Sequence, residues 1–205
     1  MIDTKSEENP VLTESVRPMS DQADWMAQLL RKVKRKNQIL FDRDSGLFQD
    51  LIFLLQGTSR RVQVLWALEL ARQSVEELES LYPQEMRPRN ALEAARLWAM
   101  GRIRMPIAKR AILDCHAVAK EWQDPYACAL CHAIGQACAV VHTPRHALGY
   151  PIYQLTALVL RYGAEHCAYP VTQRVQEYVD LLIRLQSEPI RDGEEWAAFL
   201  LPESK

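Results

Sequence analysis

The sequence predicts an all-α protein of eight or nine helices in antiparallel pairs, packed as a bundle or a short α-solenoid. Three observations predict it. Apolar residues recur at helical spacing in almost every segment. No run alternates apolar and polar with period two between turn residues, as a strand would. Pro and Gly fall between the periodic segments, with Asp124-Pro125 and Thr143-Pro144 as start signals and Gly57, Gly101 and Gly163 as stops.

Residues 1–19 read as a flexible tail, because acids and Pro10 and Pro18 interrupt any apolar period. Residues 20–205 read as one all-helical domain. Ser20 or Asp21 caps a helix to about Asn37, with Met26, Leu29, Leu30 and Val33 inward. Its last turns carry Arg31-Lys32-Val33-Lys34-Arg35-Lys36, where cations complement the helix dipole. Asp44 or Ser45 opens a short helix ending at Gly57, and Thr58 or Ser59 opens a long one to about Leu81. In the long helix Val64, Leu68, Ala71, Val75 and Leu78 form one stripe.

Pro88 suits the first position of the next helix, which stops at Gly101. Pro106 opens another, with Ala108, Ala111, Cys115, Ala119 and Trp122 at core spacing. Asp124-Pro125 starts a helix whose inner face is Ala127, Leu130, Ile134, Ala137 and Val141. The stretch from Pro144 to Tyr162 is apolar on nearly every side and belongs at the centre, with Pro151 kinking or splitting it near Gly149. Val171, Val175, Tyr178, Leu182 and Leu185 stripe the last long helix. A capped segment from Asp192, with Glu195 three residues on, presents Trp196, Phe199 and Leu200 as a docking tail.

The chain has 205 residues, 48% of them hydrophobic and 25% charged, as in ordinary globular proteins. The formal net charge of −1 points away from nucleic acid and from an anionic membrane as partners. No stretch reaches about 18 uninterrupted apolar residues, so no membrane span is expected. The polar, acidic first 24 residues carry no secretory signal, so a cytoplasmic location is expected, with five reduced cysteines.

Catalytic and metal chemistry find little support in the residue spacing. Cys128 and Cys138 lie ten residues apart, about 15 Å along one helix. Both cannot reach one zinc ion at about 2.0–2.3 Å. Asp114-Cys115-His116 resembles a triad in print, but neighbouring helical residues do not face each other. The chain has no Gly-rich phosphate loop and no nucleophile elbow. No catalytic residue, metal or cofactor is therefore assigned.

Charge is the better clue. Between Arg87 and Arg110 lie seven basic residues and one acid, Glu93, whereas the preceding stretch is acidic. Separated signs suit charge-steered protein binding. Arg87, Arg89, Arg102 and Arg104 are the candidate partner-binding residues. A second pattern places His132, Gly135, Ala139, His142 and His146 along one stripe. With His116, these imidazoles are the candidates to line a cleft.

The segment from Val64 to Tyr162 also resembles a known family. The elements that carry the resemblance are Leu65-Trp66-Ala67-Leu68-Glu69-Leu70-Ala71, Arg87-Pro88-Arg89-Asn90-Ala91-Leu92-Glu93-Ala94-Ala95-Arg96-Leu97-Trp98-Ala99, Asp114-Cys115-His116-Ala117-Val118-Ala119, Ala133-Ile134-Gly135-Gln136-Ala137-Cys138-Ala139-Val140-Val141-His142 and His146-Ala147-Leu148-Gly149. They are similar to the immunity-five-like group of immunity proteins from bacterial polymorphic toxin systems. The resemblance implies an all-helical, cytoplasmic, non-enzymatic protein that neutralises a cognate toxin by binding it. Two other readings stay open on the residues alone. One is a helical scaffold or regulatory protein. The other is a metal- or small-molecule-dependent enzyme using the His-lined cleft.

Overall fold

The structure, a computed structural model, describes residues 19–188 and 195–201. The expected tail over residues 1–18 and the expected cap at Asp192 lie outside the described residues. Among the described residues there are eight α-helices and no strand. They are α1 (Met19–Lys34), α2 (Gln49–Gln56), α3 (Arg60–Leu81), α4 (Arg87–Ala99), α5 (Met105–Glu121), α6 (Pro125–Ala139), α7 (Gly149–Tyr162) and α8 (Ala168–Ser187), with three short 3-10 turns.

Local chemistry sets most of the boundaries. Ser59 caps α3 by accepting from the Val62 amide, and Asp124 caps α6 by accepting from Tyr126. α4 ends in a Schellman turn, in which Arg102 N donates to Leu97 O and Gly101 N to Trp98 O. Gly101 takes the required left-handed conformation at φ 73°. α1 closes in the same way three residues earlier than expected. Lys36 N donates to Val33 O and Asn37 N to Lys32 O, with Lys36 in the glycine position at φ 55°. The Pro144 start signal yields one 3-10 turn, Pro144–His146, and the chain restarts as α7 at Gly149. Pro151 then sits in the first turn of α7, where its missing amide costs nothing, so it splits the segment without kinking a helix.

The helices form a bundle rather than a solenoid. A solenoid packs each unit only on its sequence neighbours, whereas here α3 packs on α4, α6, α7 and α8, and α2 packs on α8. α7 is nearly all buried, but the hub is α6, which touches α3, α4, α5 and α7. The reason is residue size. Ala127, Ala129, Ala133, Gly135 and Ala137 let neighbours approach α6 from several sides.

Several polar groups inside the bundle are paired across helices, while Trp25 Nε1 and Gln63 Oε1 are buried without a partner. Trp66 Nε1 donates to Tyr178 O at 2.9 Å, and the Tyr178 hydroxyl donates to Gln154. The Tyr150 hydroxyl bonds Ser74 at 2.8 Å and Leu70 O at 2.9 Å. Burial without such partners would cost several kcal/mol per group, by a rough estimate. The segment 195–201 docks as expected. Ala197 N donates to Ala99 O at 2.8 Å, Leu200 is buried, and the Arg61 guanidinium lies over the Trp196 ring. Phe199 is an exception in part. Its ring meets Trp98, but half of it stays exposed.

Candidate functional site

The basic segment lies along α4, the following turn and the start of α5. Carboxylates reach five of its seven cations, three of them through tertiary packing and two along their own helix. Arg87 clamps Glu85 and Glu121, the latter 34 residues on, at 2.6 and 2.7 Å. Arg89 grips both oxygens of Glu79 on α3, at 2.8 and 2.7 Å. Arg96 reaches Glu93, Arg102 pairs with Glu195 of the docked segment at 2.9 Å, and Arg110 pairs with Asp114. The guanidinium of Arg87 holds the Glu85 and Glu121 carboxyls below their usual range, and Arg89 does the same to Glu79.

Arg104 and Lys109 are different. Neither has an acidic partner among the described residues, and both are exposed. They sit at the amino-terminal end of α5, where the dipole disfavours cations and no acid lies in the first turn. Between α4 and α5 runs a groove of about 520 Å³, lined by Arg87, Asn90, Pro106, Ile107, Arg110 and Asp114 among others. Met105, Ile107 and Leu113 stand exposed beside it. This edge combines unpaired cations, apolar side chains and a concave seat.

The four candidate histidines are only partly brought together. His116 on α5 and His132 on α6 meet through their Nδ1 atoms at 3.0 Å. The His132 ring packs on Tyr153, and His146 Nδ1 bonds Gln136 Oε1 at 2.8 Å. His142 stands apart, exposed and stacked on Trp98. Gly135 explains how the pair fits, since a Cβ there would lie 2.4 Å from the His116 ring. Burial, with His132 and His146 nearby, pushes the His116 pKa down to about 4. Burial also lowers His132 and His146. Burial thus favours the neutral form of all three imidazoles, two of them in the α5–α6 seam and His146 in the turn before α7.

The cysteines are reduced and mostly buried. The Cys115 thiol donates to Cys131 O at 3.4 Å, and that thiol together with burial pushes Cys131 up. Burial pushes Cys138 up to about 12. Thiols so shifted are poor nucleophiles. Among the described residues no three His, Cys, Asp or Glu side chains converge as a metal site would require. No described helix is long and apolar enough to cross a membrane.

Residues 54–181 match the model of the family described as Imm-5 like putative immunity protein, over more than half of the chain. The chain belongs to this family. No curated protein and no solved structure matches it. The family span runs from the end of α2 into α8, wider than the motifs legible in the sequence. It holds the whole α4–α5 edge and the histidine seam of this immunity-family protein. It leaves out α1 and the docked segment 195–201.

Proposed function

We propose that the chain is a non-enzymatic, immunity-type inhibitor that binds a cognate bacterial toxin, and that the α4–α5 edge is the binding surface. Family membership supports the kind of partner. The surface rests on one observation, that Arg104 and Lys109 keep their charges unpaired beside a groove with exposed Ile107 and Met105. Unpaired rim cations steer association with an acidic surface, and a central apolar seat supplies burial. In this reading Arg87 and Arg89 shape the edge by fixing α4 against α3 and α5, and Arg102 borders it.

The test starts with the tagged chain purified from its native cells, with the stoichiometric partner identified and its toxicity assayed with and without this protein. We expect a toxin whose lethality the chain suppresses. Association should slow at least tenfold in Arg104→Glu with Lys109→Glu, while dissociation changes little. A chain that fails to protect against its co-purified partner overturns the function. Unchanged association kinetics in the double variant overturn the surface.

A further inference from the structure

The densest basic run of the molecule is elsewhere, at the end of α1, outside the family span. Arg31, Lys32, Lys34, Arg35 and Lys36 supply five cations in six residues. Only Lys32 has a carboxylate partner among the described residues, Asp42 at 2.6 Å. Complementing the helix dipole needs one or two cations in the last turn. It accounts neither for five nor for two that lie past the helix end.

Two further features set this run apart. Aliphatic side chains are exposed among the cations: Leu30 and Val33, expected inward from their spacing, are 48% and 38% accessible, and Ile39 is 39% accessible. Lys36 also holds the left-handed position that Gly101 fills in the matching turn of α4. Glycine would occupy it without steric cost.

We infer that the end of α1 is a peripheral docking site for an anionic lipid surface. Four of the five cations, Arg31, Lys34, Arg35 and Lys36, stand exposed on long stems with no acidic partner among the described residues, which suits a diffuse planar field of negative headgroups. The interleaved Leu30, Val33 and Ile39 decide between lipid and nucleic acid. Aliphatic side chains gain nothing against a phosphate backbone but gain burial at the headgroup–acyl boundary. The chain's overall charge of −1 hides this patch, because Asp21 and Asp24 lie at the other end of α1 and most of the acids lie on other elements. Binding is reversible and lies on the surface, since basic residues and shallow aliphatic contact do not amount to an inserted span.

The test is flotation of the full chain with phosphatidylcholine vesicles, with and without about 30% phosphatidylglycerol, at low and high salt. Each unpaired cation is worth about fivefold in partitioning onto an anionic bilayer. We expect at least tenfold stronger binding to the anionic vesicles, lost on raising salt. Arg31→Gln with Lys34→Gln and Arg35→Gln should remove at least tenfold, and Leu30→Ser with Val33→Ser a few fold. Lys36→Gly guards against a folding artefact, because it should raise the thermal midpoint while weakening binding about fivefold. Arg104→Glu with Lys109→Glu should leave flotation unchanged, which separates this site from the toxin-binding edge. Equal binding to neutral and anionic vesicles, or full binding by the Gln variant, overturns the proposal. So does tighter binding to duplex DNA or polyglutamate that ignores Leu30→Ser with Val33→Ser.

Discussion

Two basic stretches of this chain look alike in sequence and differ in the fold. From Arg87 to Arg110, five of seven cations are taken up by carboxylates on α3, α4, α5 and the docked segment. From Arg31 to Lys36, one of five is. A count of charges therefore says little about which charges face a partner; the distribution of carboxylates around them decides it. The histidines sort in the same way. His116, His132 and His146 are occupied inside the bundle, and His142 is exposed.

The largest expected effect tests an occupied group. Gly135→Ala would normally favour a helix, but here its Cβ must expel the His116 ring and break the His116–His132 bond. We expect a loss of about 2 kcal/mol, in line with overpacked cores. Chemical denaturation measures it, and His116→Ala in the same chain should restore most of the loss. A cost that persists without the His116 ring would show that the ring contact is not its source.

Acid should next distinguish the seam from the ion pairs. The folded His116 pKa is about 4, against an unfolded value near 6.5. Between those values the unfolded chain binds a proton that the folded chain does not. The stability is therefore whole above about pH 6.5 and falls as the pH drops toward 4. His132 and His146, also lowered, add to the loss with the same sign. The carboxylates of Glu79 and Glu85, lowered by Arg89 and Arg87, contribute above about pH 4.5 and fail only below it. Thermal midpoints across pH 4–7 should thus decline before the clamps titrate, and His116→Gln should flatten that decline.

The smallest effect compares the two stretches directly. Arg89→Ala frees Glu79 and should cost about 1 kcal/mol, a fall of about 2–4 °C in midpoint for a chain of this size. Arg31→Gln, with no acidic partner among the described residues to lose, should stay within about 0.5 kcal/mol of the parent. Equal losses would erase the distinction between the stretches.

Much of the fold was legible in the sequence because its signals are local. Ser59, Asp124, Pro88, Gly101 and Gly163 act on amides within a few residues, and the helices begin or end beside them. The misreadings also have local causes. The periodicity extends α1 to about Asn37 because nothing in the sequence marks Lys36 as left-handed. The start signal at Pro144 places the central helix five residues early, because it opens a 3-10 turn and α7 begins at Gly149.

The site was less legible. The Arg-Pro-Arg element announced itself, but its partners Glu79 and Glu121 come from other helices, and Arg102 finds Glu195 from 93 residues away. The unpaired cations, Arg104 and Lys109 at the start of α5 and Arg31, Lys34, Arg35 and Lys36 at the end of α1, are defined by carboxylates that, among the described residues, do not reach them.

By itself, then, the sequence determined the all-α class, the order of helices and the apolar face of most of them. Capping, proline geometry and helical periodicity are set by neighbours along the chain. Tertiary structure alone decided that α6 is the hub, that His116 meets His132 over Gly135, and that Arg87, Arg89 and Arg102 are neutralised by distant carboxylates. Those outcomes depend on which helix faces pack together, and small residues spaced along α6 allow close approach on several sides before packing selects its four neighbours.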